Sequence, residues 1–250
     1  MPTPYLPSRC QKFIAVAFCY TKLRPNLRMP AYIRSMVEVK GMQFRYGDDS
    51  PVMEFPDFSC PQGERMLLLG NSGTGKTTLL HLLCGLLRPQ AGELKVAGLN
   101  LTQAPDRDLD KWRGREVGIV FQRAHFVQSL TVRENLALPH QLAQGRVPSE
   151  VLERMDSMLE RLDIAHRAKA YPHELSVGEQ QRASIARALL HEPKVVFADE
   201  PTSALDDHNA EAVMDILDRE AAEATLVVVT HDQRLKDRYP TCVTLEPRKA

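Results

Sequence analysis

The sequence lacks most features that announce a stapled, membrane-spanning or nucleic-acid-binding protein. Its cysteines, Cys10, Cys19, Cys60, Cys84 and Cys242, are odd in number and form neither a CxxC pair nor a Cys/His cluster. This argues against a disulfide framework or a zinc site and suits a reducing compartment. No charge sign dominates: 32 Lys+Arg balance 32 Asp+Glu, so the overall field favours neither nucleic acid nor a membrane surface. The apolar run Phe13–Tyr20 near the start falls far short of the ~20 residues that a bilayer-spanning helix needs. Internal repeats and low-complexity tracts are absent too.

What is present suits one domain of ordinary size with a modest insertion, at 250 residues. The balanced charge hides an asymmetry. Residues 1–35 hold six basic side chains (Arg9, Lys12, Lys22, Arg24, Arg28, Arg34) and no acid, so the body is mildly acidic. That segment is rich in proline and without periodicity, and reads as a disordered leader or a misassigned start. From Met36 apolar and polar positions alternate through Val37, Val39, Met42 and Phe44, which places the domain at 36–250. Strands are expected at Val52–Phe58, Met66–Leu69, Val117–Phe121, Lys194–Ala198 and Thr225–Thr230, and a helix over Lys76–Leu87. Strands alternating with helices imply an α/β core with a largely parallel sheet. Between Gln122 and His191 no strand pattern occurs. Thr131-Val-Arg-Glu134 has capping-box spacing, Pro148-Ser149-Glu150 is a second helix start, and Val151, Leu152, Met155, Met158, Leu159 and Leu162 recur at helical spacing. A helical subdomain at about 123–191 is therefore inserted in the α/β core.

Gly70-Asn71-Ser72-Gly73-Thr74-Gly75-Lys76-Thr77-Thr78 fits GxxxxGK[ST] and lies between an apolar strand and a helix. Glycines let successive N–H groups turn inward, and the helix N-terminus adds its positive end, so the segment is a cradle for phosphates. Lys76 would neutralise the β- and γ-phosphates, and the Thr77 hydroxyl would ligate Mg²⁺. A second apolar strand, Val195–Ala198, runs into Asp199-Glu200. Adjacent residues at a strand's carboxyl end point different ways, so Asp199 can hold the cation while Glu200 acts as general base on a water. A third strand ends in His231, a candidate γ-phosphate contact.

Leu175-Ser176-Val177-Gly178-Glu179-Gln180-Gln181-Arg182, followed by Ala186-Arg187-Ala188-Leu189, resembles the signature sequence of the ATP-binding cassette family. The resemblance runs in order from about Met36 to His231. It implies a P-loop NTPase core with an antiparallel β edge and the inserted helical subdomain. It also implies that Tyr46 stacks on adenine, that Gln122 reaches the Mg²⁺ and water side of the γ-phosphate, and that His231 is the switch histidine. Ser203-Ala204-Leu205-Asp206 matches the D-loop. Val177 stands where the family's usual LSGGQ has its first glycine. Ser176-Val177-Gly178-Glu179 also has capping-box spacing, so Val177 can begin a helix whose N-terminus meets ATP on a partner subunit. The resemblance then implies a homodimer or a paralogous pair, ATP as substrate with Mg²⁺, an integral membrane permease as partner, no nucleic acid, and a place on the cytoplasmic face of the inner or plasma membrane. The chain is most similar to the subfamily serving lipoprotein release and macrolide export. The alternative is a soluble cassette ATPase, as in iron–sulfur assembly.

Overall fold

The computed structural model describes residues 35–239 and 241–246. The expectation for residues 1–35 falls, Ser35 apart, outside the described residues. In chain order, β1 (Ser35–Phe44), β2 (Met53–Glu54) and β3 (Phe58–Pro61) lead into β4 (Arg65–Gly70) and α1 (Lys76–Leu83). Next come β5 (Ala91–Val96), β6 (Leu99–Asn100), α2 (Asp106–Glu116) and β7 (Val117–Val120), then α3 (Val132–Gln144), α4 (Ser149–Arg161) and α5 (Val177–Leu189). The strand β8 (Val195–Asp199), α6 (Asp207–Glu220), β9 (Thr225–Thr230) and β10 (Thr241–Leu245) follow.

Two sheets result. One is wholly parallel, in the order β10-β4-β9-β8-β7, and the other antiparallel, β2-β1-β5-β6 with β3 also on β1. The parallel strands are apolar on both faces because both are covered. Leu67, Leu69, Val196, Ala198, Leu226 and Val228 enter one core with α3, α4, α5 and α6. Their alternates Met66, Leu68, Val195, Phe197, Val227 and Val229 enter a second core with α1, α2 and the antiparallel sheet. Each fully buried side chain of this size stabilises by about 1.5–3 kcal/mol, so a one-residue register slip, which exchanges the two sets, is disfavoured at every position.

Four elements differ from the sequence expectation. The run Val52–Phe58 is split into β2 and β3, with Pro56 between them, whose ring removes a ladder donor. The helix expected to reach Leu87 stops at Leu83. Gly85 adopts φ 64°, its N–H donates to the Leu82 carbonyl and that of Leu86 to the His81 carbonyl, a Schellman stop. The strand before Asp199 is Val195–Asp199, one residue later than expected. The strand expected over Val117–Phe121 ends at Val120. Both capping boxes form: Thr131 accepts from the Glu134 N–H and Ser176 from the Glu179 N–H, and each glutamate reaches back to its cap's N–H. Among the described residues no helix is long and apolar enough to cross a membrane.

Candidate active site

The carboxyl ends of β4, β8 and β9 open on one cleft of about 550 Å³, lined by Asn71, Ser72, Gly73, Gly75, Lys76, Thr77, Thr78, Gln122, Glu200 and His231. Hydrogen-bond register puts these groups side by side. Leu69 pairs with Thr230 and Asp199 with Val229, so the turns that follow each strand must face one another. Gly73 and Gly75 hold φ of 83° and 93°, values that side chains rarely tolerate, and this curls the loop onto the start of α1. Gly70 is fixed by crowding instead: a Cβ there would lie 2.6 Å from the Thr74 hydroxyl.

Lys76 is only 8% exposed. Its ammonium donates to the Asn71 carbonyl at 3.1 Å and stands 3.4 Å from Glu200 Oε1. A buried cation with a single carboxylate near it is matched to an incoming polyanion. The Thr77 hydroxyl is 3.5 Å from Asp199 Oδ2, while Asp199 Oδ1 is buried without a hydrogen-bond partner. Burial, first, and the neighbouring Glu200 carboxylate, second, push the Asp199 carboxyl up from its ordinary range. A hydroxyl beside an unsatisfied buried carboxylate oxygen is a donor set that fits a hard cation. Among the described residues no group of three or more His, Cys, Asp or Glu side chains is placed to hold a metal ion.

Glu200 is held in an uncommon posture. Its φ is 45°, its N–H donates to the Val229 carbonyl at 2.7 Å, and its carboxylate accepts from Thr230 Oγ1 at 3.1 Å and meets His231 Nδ1 at 2.8 Å. A left-handed non-glycine residue costs about 1–3 kcal/mol, which the backbone bond and the two side-chain contacts offset. Gln122 Nε2 donates to Ser203 Oγ at 3.0 Å, tying the loop after β7 to the loop after β8. Tyr46, 64% exposed, packs edge-on against Phe44 and bonds through its hydroxyl to Thr78 Oγ1 at 2.9 Å.

The remaining sequence candidates lie elsewhere. None of Ser176, Val177, Gly178 or Glu179 lines the cleft of its own chain. Ser176 and Val177 are exposed, and a Cβ on Gly178 would find only the Arg182 guanidinium, 3.9 Å away. The Glu179 carboxylate turns inward instead, accepting from Arg167 Nε and the Ser176 N–H, both at 2.8 Å, and these bonds hold its pKa at about 2. Ala204 is exposed, Leu205 packs against the helical core, and Asp206 caps α6. Sequence reasoning passed over Thr230. Its signal was a polar residue closing an otherwise apolar strand directly before His231.

The domain family described as ABC transporter matches residues 54–203. A lipoprotein-releasing system ATP-binding protein LolD from Idiomarina loihiensis is 38% identical over 195 residues, covering 77% of this chain and 85% of that protein. An uncharacterised ABC transporter ATP-binding protein of Mycobacterium tuberculosis is 38% identical over 207 residues, covering 81% and 83%. Among solved structures, a dimeric ATP-binding cassette in a post-hydrolysis state with ADP and Pi aligns with a TM-score of 0.72 and 31% identity, over 84% of this chain and 94% of that one. The parallel sheet, the phosphate cradle at its edge and these likenesses agree: the chain belongs to the ABC transporter family, as one of its ATP-hydrolysing cassettes.

Proposed function

We propose that this cassette, spanning 36–250 with its helical part at about 123–191, is the motor of a transporter: two copies, or one copy and a paralogue, close head to tail over two Mg-ATP. Reopening after hydrolysis works a separate membrane permease. One observation carries the reading. The phosphate cradle, Glu200, His231 and Gln122 meet in a cleft that none of Ser176–Glu179 lines, while Ser176 and Val177 are exposed elsewhere on the chain, so each cleft is completed by the signature of a second chain.

In this cleft Lys76 and the phosphate loop Gly70–Thr78 hold the β- and γ-phosphates, and Tyr46 receives the adenine. Thr77 and Asp199 would hold Mg²⁺, which when bound would supply charge neutralisation at the phosphates. Glu200 takes a proton from water as the water oxygen bonds to the γ-phosphorus. The bond from that phosphorus to the bridging oxygen breaks, and ADP leaves with the electron pair. Through Nδ1, His231 is paired with the Glu200 carboxylate, and its exposed ring edge is left for the γ-phosphate. Gln122, at the joint between core and helical part, relays the state of the cleft.

Relatives named for a lipoprotein-releasing system favour the transporter reading, with the cassette peripheral at the cytoplasmic face of the inner or plasma membrane. Tagged protein recovered from detergent-solubilised membranes should bring an integral membrane protein in stoichiometric amount. Recovery solely from the soluble fraction, with full ATPase activity and no membrane partner, would support the soluble alternative instead.

A further inference from the structure

Three restraints act on Glu200, and two come from successive residues of β9. Register pairs Asp199 with Val229, so Glu200 emerges beside Thr230. The Val229 carbonyl takes the Glu200 N–H at 2.7 Å. Thr230, 1% exposed, meets Glu200 Oε2 through Oγ1 at 3.1 Å, and the same Oγ1 accepts the Asp232 N–H at 3.1 Å. Because an ionised carboxylate can only accept, the hydroxyl hydrogen of Thr230 points to Oε2, and the same oxygen is free to accept from Asp232. The third restraint, His231, has a side chain 61% exposed, and so is the less fixed of the two side-chain partners.

An opposing pull acts on the same carboxylate. Glu200 Oε1 stands 3.4 Å from the Lys76 ammonium in a site where both side chains are nearly buried. Left to itself, the carboxylate would close on that cation, which would neutralise the charge that the phosphates need and turn the base away from water. We propose that Thr230 is a positioning residue for hydrolysis: its hydroxyl anchors Oε2 of Glu200 against the end of β9 and keeps the base from collapsing onto Lys76. The inference rests on reading Glu200 as the base.

The test compares kcat, ATP affinity and melting temperature for the purified full chain carrying Thr230→Val, Thr230→Ser, Glu200→Gln, or Glu200→Gln with Thr230→Val. Loss of a hydrogen bond to a charged group should lower kcat of Thr230→Val about 10-fold, with ATP affinity within about 2-fold of wild type. Thr230→Ser, which keeps the hydroxyl, should retain most of the rate. Thr230→Val should slow the Glu200→Gln protein no further. If melting shows that Val is not accommodated, Thr230→Ala carries the same expectation. Wild-type kcat in the Val or Ala protein would overturn the proposal. So would a Ser protein as slow as Val, or an equal further loss in the Glu200→Gln background, since that marks a merely structural role. Full turnover by Glu200→Gln alone would instead remove the base reading, whatever the Thr230 variants do.

Discussion

At Lys76 a nearly buried ammonium is shared between one carbonyl and one carboxylate, which leaves it the main counter-charge for a phosphate cluster. Lys76→Ala should weaken ATP binding about 100-fold or more, since a charge-assisted contact of this kind contributes about 1.5–3 kcal/mol per hydrogen bond. Titration with a fluorescent ATP analogue reads this, and unchanged affinity would contradict the phosphate assignment. Glu179 makes a different kind of claim. Its carboxylate, held near pKa 2 against an ordinary 4.5 by the Arg167 guanidinium and then by the Ser176 N–H, binds fewer protons folded than unfolded. The resulting stability is therefore complete above pH 4.5 and is lost as pH falls through about 2. Glu179→Gln should melt below wild type at neutral pH, with the gap narrowing steadily below pH 4.5. A gap that stays constant down to pH 3, by roughly equal melting curves at each step, would show that the charge is not what Glu179 contributes.

Between elements, β7, the strand before Gln122, makes a close backbone approach to α5, the helix behind the signature. A Cβ on Gly118 would lie 2.5 Å from the Ala188 carbonyl oxygen and 3.0 Å from the Pro193 ring. Gly118→Ala must therefore push α5 off the sheet. At about 1–3 kcal/mol for such overpacking, melting should fall by roughly 3–8 °C while ATP still binds the phosphate loop. No change in melting would mean that strand and helix part freely. Much at this scale was legible in the sequence. The apolar runs of β4, β8 and β9, the helical spacing of α4 and the two capping boxes are local patterns, and they form where local physics puts them. Pro56 and Gly85 are local signals too, but each sits inside an apolar run whose pattern masks the break. Other parts of the site had no local signal. Glu200 meets Thr230, Gln122 meets Ser203 and Tyr46 meets Thr78 only through sheet register and loop paths. These pairs lie 30, 81 and 32 residues apart, and register is decided by the competition of two buried cores, not by any one segment.

For the whole molecule, the signature residues lie outside the cleft of their own chain, and the proposed head-to-tail dimer is the arrangement that would join the two. Glu200→Gln removes the proposed base but not the charge of Lys76, so it should accumulate an ATP-loaded dimer that hydrolyses poorly. Adding Gly178→Asp puts a carboxylate into the open space beside the Arg182 guanidinium, where the partner's γ-phosphate would dock, and a desolvated like-charge contact is strongly unfavourable. The most direct measurement is size-exclusion chromatography with ATP on both proteins, paired with equilibrium ATP binding on the monomer. Glu200→Gln is expected to elute as a dimer, and the double variant as a monomer that binds ATP with unchanged affinity. A folded double variant that loses monomer ATP binding as severely as Lys76→Ala would place Gly178 in its own chain's site and contradict the head-to-tail dimer.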